Sequence, residues 1–297
     1  MSTTTRHRRF AADAIEFETL ESRRMLAAFG SPWPEPRSLT ISFPDDGTAI
    51  GAYSNELRQT LDAVTERSNW QVLALRAFQT WAVHADINVG LRNDHSLRFG
   101  APGLTVADPR IGDFRIGAFP EVGVLAISVP FQAVAGTNSG DILINSAEPF
   151  TYHDWAGSVG PDPSSQVPGQ WDLFSVLLHE SGNALGLDDN SLDWTVMFRT
   201  YTVPKGVLSQ HDIDGIQSLY GARSDPYETI SNDQLLLATL IPTPAGFQPA
   251  SDVIRLGGSL ASSTDVDHYE FTPLTLSLIH ISEPTRHDSG SRMPSSA

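Results

Sequence analysis

The sequence contains no cysteine, which excludes disulfide bonds, thiolate metal ligands and regulation through a thiol. Basic residues are also scarce, because 19 Lys and Arg stand against 35 Asp and Glu, giving a formal net charge of -16. Nucleic acids and anionic membranes repel such a chain, so we expect neither as a partner. The longest apolar stretches, such as residues 235–241, are far shorter than the roughly 20 residues of a transmembrane helix. We therefore expect no transmembrane segment.

The two ends of the chain do not read as folded structure. Residues 1–36 include LESRRMLA, which resembles the LEPR-XLL segment of exported bacterial proteins, with Ser22 in the proline place and Met25 in a leucine place. The resemblance implies a secreted or cell-surface location in a bacterium. At the other end, LSLIHISEPTR resembles a translated sequencing-library adapter. We expect residues 276–297 to be an artefact that replaces the natural C-terminus.

The middle of the chain, residues 37–223, has the pattern of an α+β domain. Short β-branched or apolar runs bounded by Gly, Pro and Asp predict strands at residues 39–43, 87–91, 114–119, 124–129 and 141–145. Apolar residues at helical spacing predict helices at residues 70–83 and 172–185. Gly186 should end the second helix and Ser209 should cap a third. These elements predict a twisted mixed sheet with long helices.

The segment that carries chemistry is HESGNALGLDD, at residues 179–189. In an HExxH helix two histidines four residues apart direct both imidazoles at one metal, while the glutamate activates a water. His179 and Glu180 keep this register, and Asp189 is a workable third ligand for zinc at about 2.0–2.2 Å. Asn183 stands where the second histidine is expected. The spacing predicts a zinc site with one poor ligand.

Three further motifs occur in a fixed order around this segment: GDILINSAE before it, then TVMFRTY and LSQHDIDGIQSLYG after it. Together they resemble the matrixins, within the metzincin metallopeptidases, over roughly residues 37–222. The resemblance implies a metzincin-like catalytic domain with Glu180 as general base and Met197 in a methionine turn beneath zinc. It also implies that Tyr201 walls a specificity pocket and that a polypeptide substrate pairs with the strand at residues 124–129.

The resemblance has departures that concern metals. Leu143 stands in the place of a structural-zinc histidine, and Asn145 replaces a calcium-binding aspartate. Asp141 and Glu148 match calcium-ligand positions of the family. This match makes calcium a candidate cofactor beside zinc, although two carboxylates fall short of the six to eight oxygens that calcium takes. We expect no structural zinc.

Asn183 leaves two functions open. The first is a zinc-dependent endopeptidase that acts on polypeptides through a Glu-activated, zinc-bound water, and the second is an inactive pseudoprotease that binds peptides or surface polymers. A His-to-Asn change needs one base change, so sequencing error, chance inactivation and an evolved pseudoenzyme are all open explanations. His153 and His211 lie outside the helix register, and we expect them to be solvated rather than replacement ligands. We expect a monomer.

Residues 224–275 have a different character. NDQLLLATLI and IRLGGSLASSTDVDHYEFTPL resemble the start of the bacterial pre-peptidase C-terminal β-sandwich. The alternation of Asp267, Tyr269 and Phe271 predicts a strand. The resemblance implies a small, truncated module that binds or tethers rather than catalyses.

Overall fold

A computed structural model describes residues 30–155, 168–224, 235–241 and 268–270. The chain forms two compact units, Met1–Arg223 and Ser224–Ala297. Residues 1–29, which include the LEPR-XLL-like segment, and residues 276–297 lie outside the described residues. No helix in the described part of the chain is both long enough and apolar enough to span a bilayer.

A five-stranded sheet forms the centre of the first unit. Its strands, in spatial order, are β4 (Val89–Leu91), β1 (Leu39–Ser42), β5 (Phe114–Phe119), β7 (Asp141–Asn145) and β6 (Ala126–Ser128). The first four are mutually parallel, and β6 runs antiparallel to β7 at the edge. The described residues of this unit also form two short strand pairs: β2 (Ala49–Ile50) with β3 (Tyr53–Ser54), and β8 (Phe150–Thr151) with β9 (Trp171–Asp172). The predicted mixed sheet is confirmed; β5 and β7 have the predicted bounds, and β1, β4 and β6 are shorter than predicted.

In the described ranges, four α-helices accompany the sheet: α1 (Leu57–Asp62), α2 (Arg67–Ala82), α3 (Leu173–Ala184) and α4 (Gln210–Tyr220). The Asp172 carboxylate caps α3 by accepting a hydrogen bond from the Ser175 N–H at 2.8 Å. Gly186 ends the last turn with φ at 104°, a conformation that glycine adopts without steric cost. Ser209 caps α4 as predicted, and it forms a capping box with Asp212.

Tryptophan side chains fix α3 in the core. α2 and α3 pack against each other, and α3 also packs on β6 and β7. The buried Trp81 indole of α2 donates to the Leu178 carbonyl of α3 at 3.0 Å. The buried Trp33 indole donates to the Ala184 carbonyl at 2.8 Å, and the Gly30 N–H donates to the Gly186 carbonyl at 3.3 Å. The middle and the C-terminal end of α3 are therefore tied to distant parts of the chain.

The second unit is described over two short segments only. Thr239–Leu240 and Tyr269–Glu270 form a parallel pair, β10 and β11. This confirms a strand at Tyr269. The rest of the predicted β-sandwich lies outside the described residues.

Candidate functional site

α3 and the turn after it bring three side chains to one point. His179 and Asn183 lie one helical turn apart on α3, and the turn at Gly186 returns Asp189 to them. His179 Nε2 lies 3.1 Å from Asp189 Oδ1 and 3.1 Å from Asn183 Nδ2. Asn183 Nδ2 lies 3.3 Å from Asp189 Oδ1. The three polar atoms form a nearly equilateral triangle, which we call the ligand triangle.

The His179 ring is held in one orientation. Its Nδ1 lies 2.9 Å from the Val196 carbonyl oxygen, which can only accept, so Nδ1 carries a hydrogen and Nε2 faces the triangle. Burial alone would lower the pKa of His179, but the Asp189 hydrogen bond, the Glu180 carboxylate and the Val196 carbonyl together raise it to about 9. The hydrogen bond from His179 lowers the pKa of Asp189. At neutral pH without metal, the two side chains therefore share a proton.

The ligand triangle has the dimensions of a zinc site. Ligands at about 2.0–2.1 Å from a tetrahedral zinc lie about 3.3–3.4 Å from one another. The three distances of 3.1, 3.1 and 3.3 Å are close to this edge length. A rotation of the Asn183 amide group by 180° exchanges its nitrogen and oxygen atoms, which are similar in size. The oxygen would then face the metal position. The geometry fits zinc, with Asn183 as its weak donor.

The donor chemistry is poorer than the geometry. No three His, Cys, Asp or Glu side chains converge on a metal position in the described ranges. The triangle therefore combines two strong ligands with one neutral amide.

Glu180 lies beside the triangle and below the edge of the sheet. It is 8% exposed, and burial raises the pKa of its carboxyl although the nearby His179 opposes this effect. The Ser128 hydroxyl of β6 donates to Glu180 Oε2 at 2.7 Å. The carboxyl group is thus held in place and can take up a proton more readily than an exposed glutamate.

A cleft of about 760 Å³ opens over these residues. β6 lines one side, and α3 with the segment up to Lys205 lines the other. On β6, the Leu125 carbonyl and the Val129 N–H bond to β7, so strand alternation directs the backbone groups of Ala126 and Ser128 to the opposite edge. No other strand pairs with this edge among the described residues. The cleft therefore has a free strand edge along its length.

Met197 and Tyr201 follow the triangle. Met197 is 2% exposed, and a Cβ at Gly182 would lie 2.5 Å from its sulfur, so the methionine packs against α3. Tyr201 lines the cleft, and its hydroxyl accepts a hydrogen bond from the Asp172 N–H at 3.1 Å. Burial raises the pKa of Tyr201 to about 12. The roles that the resemblance gives them, a methionine turn beneath zinc and a wall of the specificity pocket, stay predictions.

Asp141 and Glu148 are not brought together. Asp141 begins β7, is 3% exposed, and has its pKa raised by burial despite the opposing charge of Arg115. Glu148 lies beyond the other end of β7 and accepts a hydrogen bond from Trp171 Nε1 at 2.7 Å. The two residues therefore lie beyond opposite ends of the central part of β7, and a calcium site that includes both stays a prediction.

His153 and His211 lie apart from the ligand triangle. His153 Nδ1 contacts the buried Asp172 carboxylate at 2.9 Å, so it is hydrogen-bonded rather than simply solvated. The His211 ring stands edge-on to Trp194, with centroids 6.1 Å apart. Neither of these two contacts involves a residue of the ligand triangle.

Sequence reasoning missed two contributors to this site. Ser128 belongs to a predicted strand, and alternation places it on the same face as Ala126, but no pattern indicates that Glu180 lies within reach of its hydroxyl. Asp212 lies in the first turn of α4. Its carboxylate also accepts the N–H groups of Val196 and Met197, at 3.0 and 3.3 Å, and so holds the turn after the triangle.

Comparison with known proteins places relatives over this part of the chain. Residues 118–221, which include the whole lining of the cleft, match the family model described as matrixin. A probable matrix metalloproteinase of Invertebrate iridescent virus 3 is 34% identical over 84 residues, covering 28% of this chain and 20% of the relative. Metalloendoproteinase 2-MMP of Arabidopsis thaliana is 35% identical over 102 residues, covering 31% of this chain and 26% of the relative. Matrix metalloproteinase-25 of Homo sapiens is 35% identical over 118 residues, covering 34% and 19%.

These similarities are local. The chain spans no more than 26% of the length of the three relatives. The cleft region is thus similar to matrixins, and the activity of the whole protein is a separate question.

Proposed function

We propose that this chain is a zinc-dependent endopeptidase that acts outside the cell and hydrolyses polypeptides bound along β6. The ligand triangle beside the buried Glu180 is the observation that carries the proposal. Its distances of 3.1 to 3.3 Å suit a tetrahedral metal, and a glutamate next to such a metal is the usual general base of a metallopeptidase. The matrixin match over residues 118–221 supports the same reaction class.

The substrate would be an extended polypeptide. The free N–H and C=O groups of Ala126 and Ser128 can pair with the backbone of a segment that lies antiparallel to β6. Backbone pairing is independent of side chains, so it would hold many sequences in one register. It would also place a peptide bond over Glu180, because the Ser128 hydroxyl reaches that carboxylate.

His179, Asp189 and the amide oxygen of Asn183 would hold zinc. When bound, zinc acts as a Lewis acid that makes a water more acidic and polarises a peptide carbonyl. Glu180 takes the proton from the attacking water, and its buried, raised-pKa carboxyl keeps the proton until the leaving amine accepts it. The Ser128 hydroxyl keeps one carboxylate oxygen occupied, which leaves the other for proton transfer.

Asn183 should make zinc binding weak. A neutral amide oxygen is a poorer donor than imidazole, and zinc must also displace the proton that His179 shares with Asp189. A four-ligand zinc site is worth about 10–16 kcal/mol, so one lost ligand costs several kcal/mol. The second candidate function follows from this cost: a pseudoprotease that binds peptides in the same cleft without cleaving them.

One set of variants separates the two functions. We would compare the wild type, Asn183→His, and Asn183→His with Glu180→Ala, measuring zinc affinity by isothermal titration and cleavage of unfolded casein. We expect Asn183→His to bind zinc roughly 100-fold more tightly or better and to cleave faster. The double variant should bind zinc equally well and not cleave.

Each outcome decides something. Tight zinc binding and cleavage by the wild type would show that Asn183 is an adequate ligand. Peptide binding without cleavage by the wild type, together with cleavage by Asn183→His, would establish the pseudoprotease. If Asn183→His neither binds zinc nor cleaves, the endopeptidase assignment is wrong.

A further inference from the structure

Two aromatic rings and a carboxylate form one corner of the cleft. The rings of Trp171 and Tyr201 stand perpendicular to each other, at 82°, with centroids 5.2 Å apart. The Trp171 indole nitrogen donates to Glu148 Oε2 at 2.7 Å, which fixes the carboxylate at the edge of the indole. All three side chains line the cleft, and we call them the aromatic corner.

The aromatic corner has the chemistry of a cation-binding site. Ring faces attract a cation, most strongly for tryptophan, and a carboxylate at the ring edge adds a direct ionic partner. The Tyr201 hydroxyl and the Trp171 N–H are already hydrogen-bonded within the protein, so the ring faces and the second Glu148 oxygen are what the corner offers. Glu148 has no cationic partner among the described residues.

The charge of the cleft favours the same class of ligand. Four carboxylates and two permanent cations line it: Glu148, Glu180, Asp188 and Asp189 against Arg199 and Lys205. Lys205 does not satisfy the corner, because its ammonium group lies over the Phe198 ring, 5.0 Å from the centroid. The Glu148 carboxylate is therefore the charged group that the corner offers to a polypeptide in the cleft.

We propose that the aromatic corner binds a lysine or arginine side chain of the polypeptide that occupies the cleft. This rests on the proposed function to the extent that a polypeptide must bind along β6. A lysine or arginine side chain would bury its aliphatic stem against Trp171 and Tyr201 while its cationic head reaches Glu148. This arrangement favours basic over neutral side chains. The corner is thus a specificity site, distinct from the residues that carry the proton transfer.

Binding rather than cleavage tests the proposal. Fluorescence polarisation would measure how tightly labelled peptides bind to the full chain carrying Glu180→Ala. The buffer would contain EDTA, so that no hydrolysis occurs. Each peptide would have seven residues, with lysine at one position and uncharged residues at the other six. The position of the lysine would vary along the peptide, and peptides with norleucine or glutamate at the same position would serve for comparison. We expect one position at which lysine binds about 10-fold more tightly than norleucine at low salt.

The decisive variant is Glu148→Gln, which keeps an oxygen for the Trp171 N–H and removes only the charge. It should reduce the lysine preference to about 2-fold or less while norleucine peptides bind as before. Glu56→Gln is the matched control, because Glu56 also accepts one side-chain hydrogen bond, from Ser146 at 2.9 Å, and does not line the cleft. It should leave the preference unchanged.

The failures are distinguishable. If no peptide binds, the polypeptide-binding function itself is wrong. If peptides bind with no lysine preference, or if Glu148→Gln keeps the preference, the corner is not a cation site. Loss of the preference in millimolar calcium would also overturn the proposal, because Glu148 would then be a calcium ligand.

Discussion

Asp212→Asn should destabilise the turn that supports the ligand triangle. The carboxylate is 2% exposed and accepts four hydrogen bonds: from Val196 N at 3.0 Å, Met197 N at 3.3 Å, Ser209 N at 2.9 Å and Ser209 Oγ at 2.7 Å. These donors use both oxygens, so an asparagine NH₂ group must face at least one N–H. Hydrogen bonds to a charged group are worth about 1.5–3 kcal/mol, and we expect a loss of about 3 kcal/mol.

Thermal unfolding followed by circular dichroism would measure this loss. For a domain of this size 1 kcal/mol corresponds to about 2–4 °C, so Tm should fall by about 6–12 °C. Asp193→Asn is the matched control, because Asp193 is exposed in the loop that Asp212 supports and the substitution removes the same charge. It should change Tm by about 2 °C or less. An Asp212→Asn protein that unfolds at the temperature of this control would refute the role of Asp212.

Three further predictions concern single side chains. In the Asn183→His background, Ser128→Ala should lower kcat about 10-fold with zinc content unchanged, and an equal kcat would exclude a positioning role. The hydrogen bond from Arg110 holds the pKa of Asp108 below its usual value, so its stabilisation is complete above about pH 4 and is lost as pH falls through the lower folded-state pKa. Urea midpoints of wild type and Asp108→Asn should therefore differ at pH 7 and converge at strongly acidic pH, and a constant gap would contradict this. Gly182→Ala should lower Tm by about 2–5 °C, because its methyl would lie 2.5 Å from a buried sulfur and overpacking outweighs the better helix propensity of alanine. A higher Tm would show that the core adjusts.

The sequence is sufficient to predict the long elements of the fold. β5 and β7 have the predicted bounds, and α3 differs from its predicted bounds by one residue at each end. These elements are predictable because the apolar pattern and the capping residues lie within the segment itself. α1 and the two short strand pairs escaped prediction. Their few residues have no periodicity of their own and are ordered by tertiary contacts, such as the Glu56 N–H bond to the Ala118 carbonyl before α1.

The site is predictable only where spacing determines geometry. Residues four apart on a helix share a face, so His179 and Asn183 had to be neighbours, and the glycine turn returns Asp189 to them. The partners that come from distant segments were not predictable. Ser128 meets Glu180 because β6 packs on α3, and Glu148 meets Trp171 because β8 pairs with β9. No local pattern predicts either approach.

The contacts of Trp33 determine how the protein can be shortened. A version that begins at residue 37, where the family resemblance starts, would lose the indole that binds the Ala184 carbonyl and the Gly30 N–H that binds Gly186. Both carbonyls belong to the end of the helix that carries His179. Removing residues 30–36 would therefore disturb the cleft from behind, and a loss of binding in such a version would say nothing about the cleft itself. Domain dissection, library design and crystallisation of this protein should all begin at or before residue 30.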